Sequence, residues 1–318
     1  ISTKDRSAME TVNEIVADSE PIVVDETPPS TFVAADGTRL SYREVGTGTP
    51  TLVLCNGLGM DSALWMHVIR YFCKTHRVIS WDYRGHGLSE RTADLRSYTL
   101  ETFGNDLRAL LDHLQIPTAV LLGHSMGVQV ILDFFRAYPD RVLGLIPICG
   151  SYRNPLQTLF YTDKLETMLL SAGKLVSSFD GIFGNMWGWL AGTWLVRQLV
   201  FALGTNRYLT NPGDMDPYFE NLKRVDQKVF FTTALSMAAN DALPLLDQIT
   251  APTLIIAGEN DHFTPLKVSY DMHMIIPNSD LLVLKAGSHC GLLDYPLLIN
   301  LRIEKFLRDQ IVLGPMKA

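Results

Sequence analysis

Cysteine is scarce in this chain. Four are found in 318 residues, at Cys55, Cys73, Cys149 and Cys290, scattered and with no Cys-x-x-Cys pair. Such spacing argues against a disulfide framework or a structural metal site and makes a reducing compartment the default. Positive charge is also short. Lys and Arg total 27 against 34 Asp and Glu, giving a formal net charge of −7 with no basic stripe. That argues against nucleic acid as a partner, since phosphate binding needs clustered cations. No apolar run reaches the ~20 residues that a bilayer span requires. Repeats and low-complexity tracts are missing too. The first thirty residues are polar and acidic (Asp5, Glu10, Glu14, Asp18, Glu20, Asp25, Glu26) and lack the basic and apolar zones of an export peptide. They read as an acidic surface arm over 1–30, and the expected location is cytoplasmic.

What is present suits one large core carrying an inserted subdomain: 47% hydrophobic residues, 19% charged. Asp36-Gly37 between two alternating segments, 31–35 and 38–42, predicts a hairpin. Buried-type strands then alternate with amphipathic helices. Strands are expected at 51–55, 77–81, 119–122, 142–148, 252–257 and 280–284. Helices are expected at 62–73, 100–114, 128–138 and 292–310. Short apolar strands separated by helices indicate a mostly parallel α/β sheet covered on both faces. The core is thus placed at 31–150 and 250–318. Residues 151–249 interrupt the rhythm, offer no convincing strand and read as a helical cap over the carboxyl ends of the strands. The middle of this block is rich in aromatics, and Phe160, Phe183, Trp187, Trp189 and Trp194 are candidate walls of a substrate pocket.

The chemistry centres on Gly123-His124-Ser125-Met126-Gly127, directly after the apolar run 119–122. Strand, sharp turn and helix in that order lift the Ser125 hydroxyl clear of the sheet, and the glycines admit close backbone approach. A base is expected from Gly287-Ser288-His289, after the last strand, because an imidazole there can accept and return the serine proton. An acid is expected from Gly258-Glu259-Asn260-Asp261, where Asp261 would hold the second ring nitrogen of His289. Glu259 is its nearest rival. Asn56-Gly57-Leu58-Gly59 follows the first parallel strand. It supplies the Leu58 amide as one oxyanion donor, with the Met126 amide as the other. His124 and His86 are expected to be structural, and Asp82 and Arg84 to organise their own loop as a local pair. His67, His76, His113, His262 and His273 have no partners at ligand spacing. No metal or organic cofactor is implied.

With these motifs and Asp82-Tyr83-Arg84-Gly85-His86-Gly87, the chain from about Thr31 onward resembles the capped α/β-hydrolases. That group includes carboxylesterases, lactonases, carbon–carbon bond hydrolases and non-haem haloperoxidases. The resemblance implies the α/β-hydrolase fold, and its motifs specify the fold far more narrowly than the substrate. Many relatives carry His-Gly where this chain has Asn56-Gly57, a change that should spare the backbone donor.

The expected activity is hydrolysis of a carboxylic ester or lactone with an apolar acyl or aromatic part, through an acyl-enzyme on Ser125. Alternatives are a carbon–carbon bond hydrolase of a diketone acid, anchored by Arg153 or Arg197, and a slow-turnover ligand-sensing protein. Epoxide hydrolysis and dehalogenation are disfavoured, because relatives that perform them carry aspartate at the elbow. The stretch from Gly181 to Val196 has two readings, a cap helix roofing the pocket or a weak contact with a membrane surface.

Overall fold

The computed structural model describes residues 28–154 and 193–313. An eight-stranded sheet runs through it in the order β1-β2-β4-β3-β5-β6-β7-β8. The predicted hairpin is its edge: β1 (Ser30–Val33) pairs antiparallel with β2 (Arg39–Val45), and β2 pairs antiparallel with β4 (Val78–Trp81). The pairings among β4, β3 (Leu52–Cys55), β5 (Ala119–His124), β6 (Val142–Ile148), β7 (Thr253–Gly258) and β8 (Ser279–Leu284) are all parallel.

The continuous apolar strands are explained by their burial on both faces. Alternate side chains of β3 point to opposite sides of the sheet. Val53 and Cys55 join one core with residues of α2 (Leu100–His113) and α3 (Met126–Ala137). Leu52 and Leu54 join the other with α1 (Met66–Phe72) and α8 (Pro296–Phe306).

Two predicted helices are broken. The 62–73 segment opens with a 3₁₀ turn, Ser62–Trp65, before α1, with the Asp61 side chain capping the Ala63 amide. The 292–310 segment splits at Pro296. A short turn, Gly291–Asp294, ends at Tyr295 (φ −137°, ψ 56°), and Pro296 then opens α8. A residue before proline is pushed out of the helical region, while proline itself suits the first helical position.

Between β6 and β7 the chain is inserted with helices α4 (Trp194–Gly204), α5 (Asp216–Arg224) and α6 (Gln227–Ala239). Helix α7 (Leu266–Ile275) links β7 to β8. The isolated bridge Arg153–Asp241 fastens the base of the insertion. Among the described residues no helix is long and apolar enough to cross a membrane.

Candidate active site

The site lies at the carboxyl ends of β3, β5, β7 and β8, where parallel sheets bind ligands. β5 delivers the chain to Ser125, which has φ 55° and ψ −116° before α3 begins at Met126. A non-glycine residue so placed costs roughly 1–3 kcal/mol. The turn is held by the Ser125 N–H donating to the Ile148 carbonyl at 3.1 Å, and by the Val128 N–H donating to the Ser125 carbonyl at 3.1 Å. The flanking glycines are required sterically. A Cβ at Gly123 would lie 2.4 Å from the Gly127 carbonyl oxygen, and one at Gly127 would lie 2.1 Å from that of Cys55. Strand and helix could meet at this angle with no larger residue.

Ser125, His289 and Asp261, separated by up to 164 positions, form one hydrogen-bonded chain. Ser125 Oγ is 3.0 Å from His289 Nε2, and His289 Nδ1 is 2.9 Å from Asp261 Oδ2. Asp261 is buried and also accepts from the Phe263 amide at 2.8 Å, the Thr264 amide at 2.8 Å and Thr264 Oγ1 at 2.7 Å. Burial works to raise its pKa, but the charge and hydrogen bond of His289 together with the Thr264 donors outweigh it and hold the carboxyl below its usual value. An ionised carboxylate can only accept, so Nδ1 carries the proton and Nε2 is left to accept from the Ser125 hydroxyl. The His289 ring is flanked by Phe263 at 5.1 Å and His124 at 5.0 Å between centroids.

The loop after β3 comes up to the serine. A Cβ on Gly57 would stand 3.3 Å from Ser125 Cβ. Met126 is the first residue of α3, so its N–H has no intrahelical partner. The side chain of Asn56 is buried: Nδ2 donates to the Trp81 carbonyl at 2.8 Å, and Oδ1 accepts from Trp65 Nε1 at 2.9 Å. Asparagine thus ties the loop to β4 and to the 3₁₀ turn, and Tyr83 OH adds a bond to the Asn56 carbonyl at 3.0 Å. Helices of the insertion rest on the same loop, with Asn221 Nδ2 donating to the Gly59 carbonyl at 2.9 Å.

Other expected residues stand elsewhere. Glu259 faces outward, accepting from Lys285 at 2.9 Å and the Ala286 amide at 2.8 Å. The expected pair of Asp82 with Arg84 does not form. Buried Arg84 makes a bidentate pair with Asp106 at 2.9 and 2.7 Å and a third bond to Asp36 at 2.7 Å. Asp82 instead accepts from the Leu88 amide at 3.0 Å. Side-chain reach explains the difference: Arg84 crosses to α2, which a local reading of the motif does not see. Arg197 is engaged with Asp216 at 2.5 Å and lies over the Phe219 ring, while Arg153 lies over Tyr152. Of the candidate pocket walls, Trp194 opens α4 and is 71% exposed. Phe160, Phe183, Trp187 and Trp189, and most of the 181–196 stretch, lie outside the described residues.

Sequence reading missed Thr264, and it expected His124 to be structural without seeing its partner. Thr264 gives Asp261 a hydroxyl, a role that only side-chain direction reveals. His124, fully buried, bonds through Nε2 to the His289 carbonyl at 2.9 Å. That long-range contact leaves no sequence signal beyond the elbow motif itself.

Fold and site together define a hydrolase built on a parallel α/β sheet. The family model for the alpha/beta hydrolase fold matches residues 50–296, and the chain belongs to that family. It is 26% identical over 287 residues to 3-oxoadipate enol-lactonase 2 of Acinetobacter baylyi, covering 87% of this chain and 96% of that one. Among solved structures, an esterase from Thermogutta terrifontis superposes with a TM-score of 0.73 at 24% identity, covering 88% of this chain and 98% of the other. The enol-lactonase from Burkholderia xenovorans gives a TM-score of 0.73 at 21% identity, covering 89% and 100%. At those identities the structural likeness carries the fold.

Proposed function

We propose that this chain is a serine hydrolase that cleaves a carboxylic ester or lactone with an apolar acyl or aromatic part. The observation that carries the reading is the continuous path Ser125 Oγ–His289–Asp261, at 3.0 and 2.9 Å. His289 Nε2 takes the Ser125 proton as the oxygen attacks the carbonyl, and Asp261 stabilises the imidazolium and fixes its tautomer. The amides of Leu58 and Met126 receive the developing oxyanion. The proton then passes to the leaving alkoxide, and water, activated by the same imidazole, releases the acyl group from Ser125.

The apolar surroundings support a substrate of low polarity. Phe263 sits against the His289 ring, and the side chains of Leu222 and Phe230 stand over Gly59. The lactone arm draws support from the relative named as an enol-lactonase. Of the two arginines that a diketone acid would use as its anchor, Arg197 is already held by Asp216. That leaves Arg153, which lies over the Tyr152 ring, as the anchor open to the carbon–carbon alternative.

Fluorophosphonate labelling followed by peptide mapping is expected to place the label on Ser125. Ser125→Ala should lower kcat on a nitrophenyl ester by at least about 10³-fold, as losing the nucleophile does in enzymes of this type. An alanine variant as fast as its parent ends the proposal. In a nitrophenyl ester series, fastest turnover on the shortest acyl chain would end the apolar-pocket part alone.

A further inference from the structure

One buried carboxylate beside the site plays no part in the proton path. Asp294 is 6% exposed and lies five residues beyond His289, at the end of the turn that Pro296 terminates. Its Oδ2 accepts from the Ser288 amide at 2.6 Å and from Ser288 Oγ at 2.7 Å. Ser288 Oγ in turn accepts from the Cys290 amide at 3.2 Å. The Gly287–Ser288 peptide, one removed from His289, and the His289–Cys290 peptide that follows it are thus both organised by this carboxylate, one directly and one through a hydroxyl.

Its other oxygen faces a different part of the molecule. Asp294 Oδ1 accepts from Thr210 Oγ1, 84 positions away in the insertion. Thr210 Oγ1 also accepts from the Asn206 amide at 3.2 Å, so the hydroxyl is oriented toward Asp294 by its own loop. Two more bonds join the same pieces of chain. Asn206 Nδ2 donates to the Ala286 carbonyl at 2.8 Å, and the Cys290 amide donates to the Gly204 carbonyl at 3.0 Å. A carboxylate that merely closed its own turn would need none of these. Residues 204–210 and 286–294 are stitched together at three points, and of the six residues that make these bonds Asp294 alone is charged.

We propose that Asp294 is a positioning residue: it fixes the peptide groups on both sides of His289 and joins that loop to the insertion through Thr210, so that the seating of the insertion sets the reach of His289 toward Ser125. The inference rests on reading His289 as the base. Asp294 touches neither Ser125 nor the imidazole, so it acts through backbone placement. Displacements of about 1 Å at a reacting centre can cost on the order of 10²-fold in rate.

The test compares the full-length protein with Asp294→Ala, Asp294→Asn, Ser288→Ala and Thr210→Val, each rate being expressed per serine titrated by a fluorophosphonate so that misfolded protein does not count. Asp294→Ala should lose about 10- to 100-fold in kcat with KM within about two-fold of the parent. Asp294→Asn should recover most of that loss, because its carbonyl can accept from Ser288 and its amide can donate to Thr210 Oγ1. Thr210→Val and Ser288→Ala should each lose several-fold, and the downfield proton resonance of His289 Nδ1–H should broaden in the same order as the rates fall. Parental kcat per titrated site in Asp294→Ala overturns the inference. If Asp294→Ala does not fold, parental kcat in both Thr210→Val and Ser288→Ala overturns it instead. A parent protein that takes no label on Ser125 would sink the serine-hydrolase reading, an outcome distinct from either.

Discussion

At the residue scale, the division of labour between two carboxylates follows from what surrounds each. Asp261 is given four donors and is held ionised; Glu259, two positions earlier, is spent on Lys285 and a backbone amide at the surface. Asp261→Asn is expected to leave the fold intact and to cut kcat by about 10³- to 10⁴-fold, since an amide can present its NH₂ to Nδ1 and stabilise the wrong tautomer. Steady-state hydrolysis of a nitrophenyl ester at neutral pH measures this, and the matching Glu259→Gln variant should stay near the parental rate. The choice between these acids was legible as a preference in the sequence, from their place after β7. The reason for it was not, because the Thr264 hydroxyl and the outward turn of Glu259 are matters of side-chain direction. Arg84 makes the same point. Its neighbours in sequence suggested Asp82, but the guanidinium reaches Asp106 on α2 and Asp36 in the first hairpin. With Arg84 and Asp106 both almost fully buried, Asp106→Ala should destabilise the protein by about 2–3 kcal/mol, short of the ~3–5 kcal/mol of a wholly stranded charge because Asp36 still pairs with Arg84. Denaturant unfolding checks it, while kcat per titrated site should change little.

At the scale of elements, the parallel strands were the most readable part of the chain. Their apolar runs are short, uninterrupted and set apart by amphipathic helices, which is what burial on both faces demands. Helix ends were less readable. Met126 rather than Val128 starts α3 because the whole turn at Ser125 is compressed into one residue of positive φ. Pro296 divides the last helical stretch, and the division is useful: the short turn it creates carries Asp294 back to Ser288. The loss of strand rhythm between β6 and β7 was read as a helical cap over 151–249, and the described residues there from 193 onward carry helices α4, α5 and α6. The insertion's contacts with the loops after β3 and β8 came only with the fold.

At the scale of the whole molecule, three buried titrating groups pull stability in opposite directions as pH falls. Burial lowers His86 to about 4 and, with a smaller push from His289, lowers His124 to about 3; burial raises Asp82 to about 6. The histidines are folded as neutral rings. Below about pH 6.5 the unfolded chain takes up their protons and the folded one does not, so stability present above that pH is lost on acidification. Asp82 has the reverse sign: its contribution is fully present below its ordinary value and is lost as pH rises through about 6. Between pH 7 and 4.5 the two histidines together cost about 5 kcal/mol, and Asp82 returns about 2 kcal/mol. Of these three groups the histidines outweigh Asp82, so His86→Asn should make the melting temperature less sensitive to acidification than the parent's over this range. Thermal unfolding of parent and variant across that pH range checks it, and equal slopes would show that the His86 ring is not held neutral by the fold. From the sequence alone came the sheet, the elbow serine and the identities of its two partners, because each is encoded by short-range pattern: apolar periodicity, glycines where backbones touch, a residue placed just past a strand. Tertiary structure alone decided which buried charges meet, why Asn56 serves in its loop, and how the insertion grips the histidine loop. Those depend on where long side chains end after the sheet has brought distant loops to one edge, and no local pattern records that.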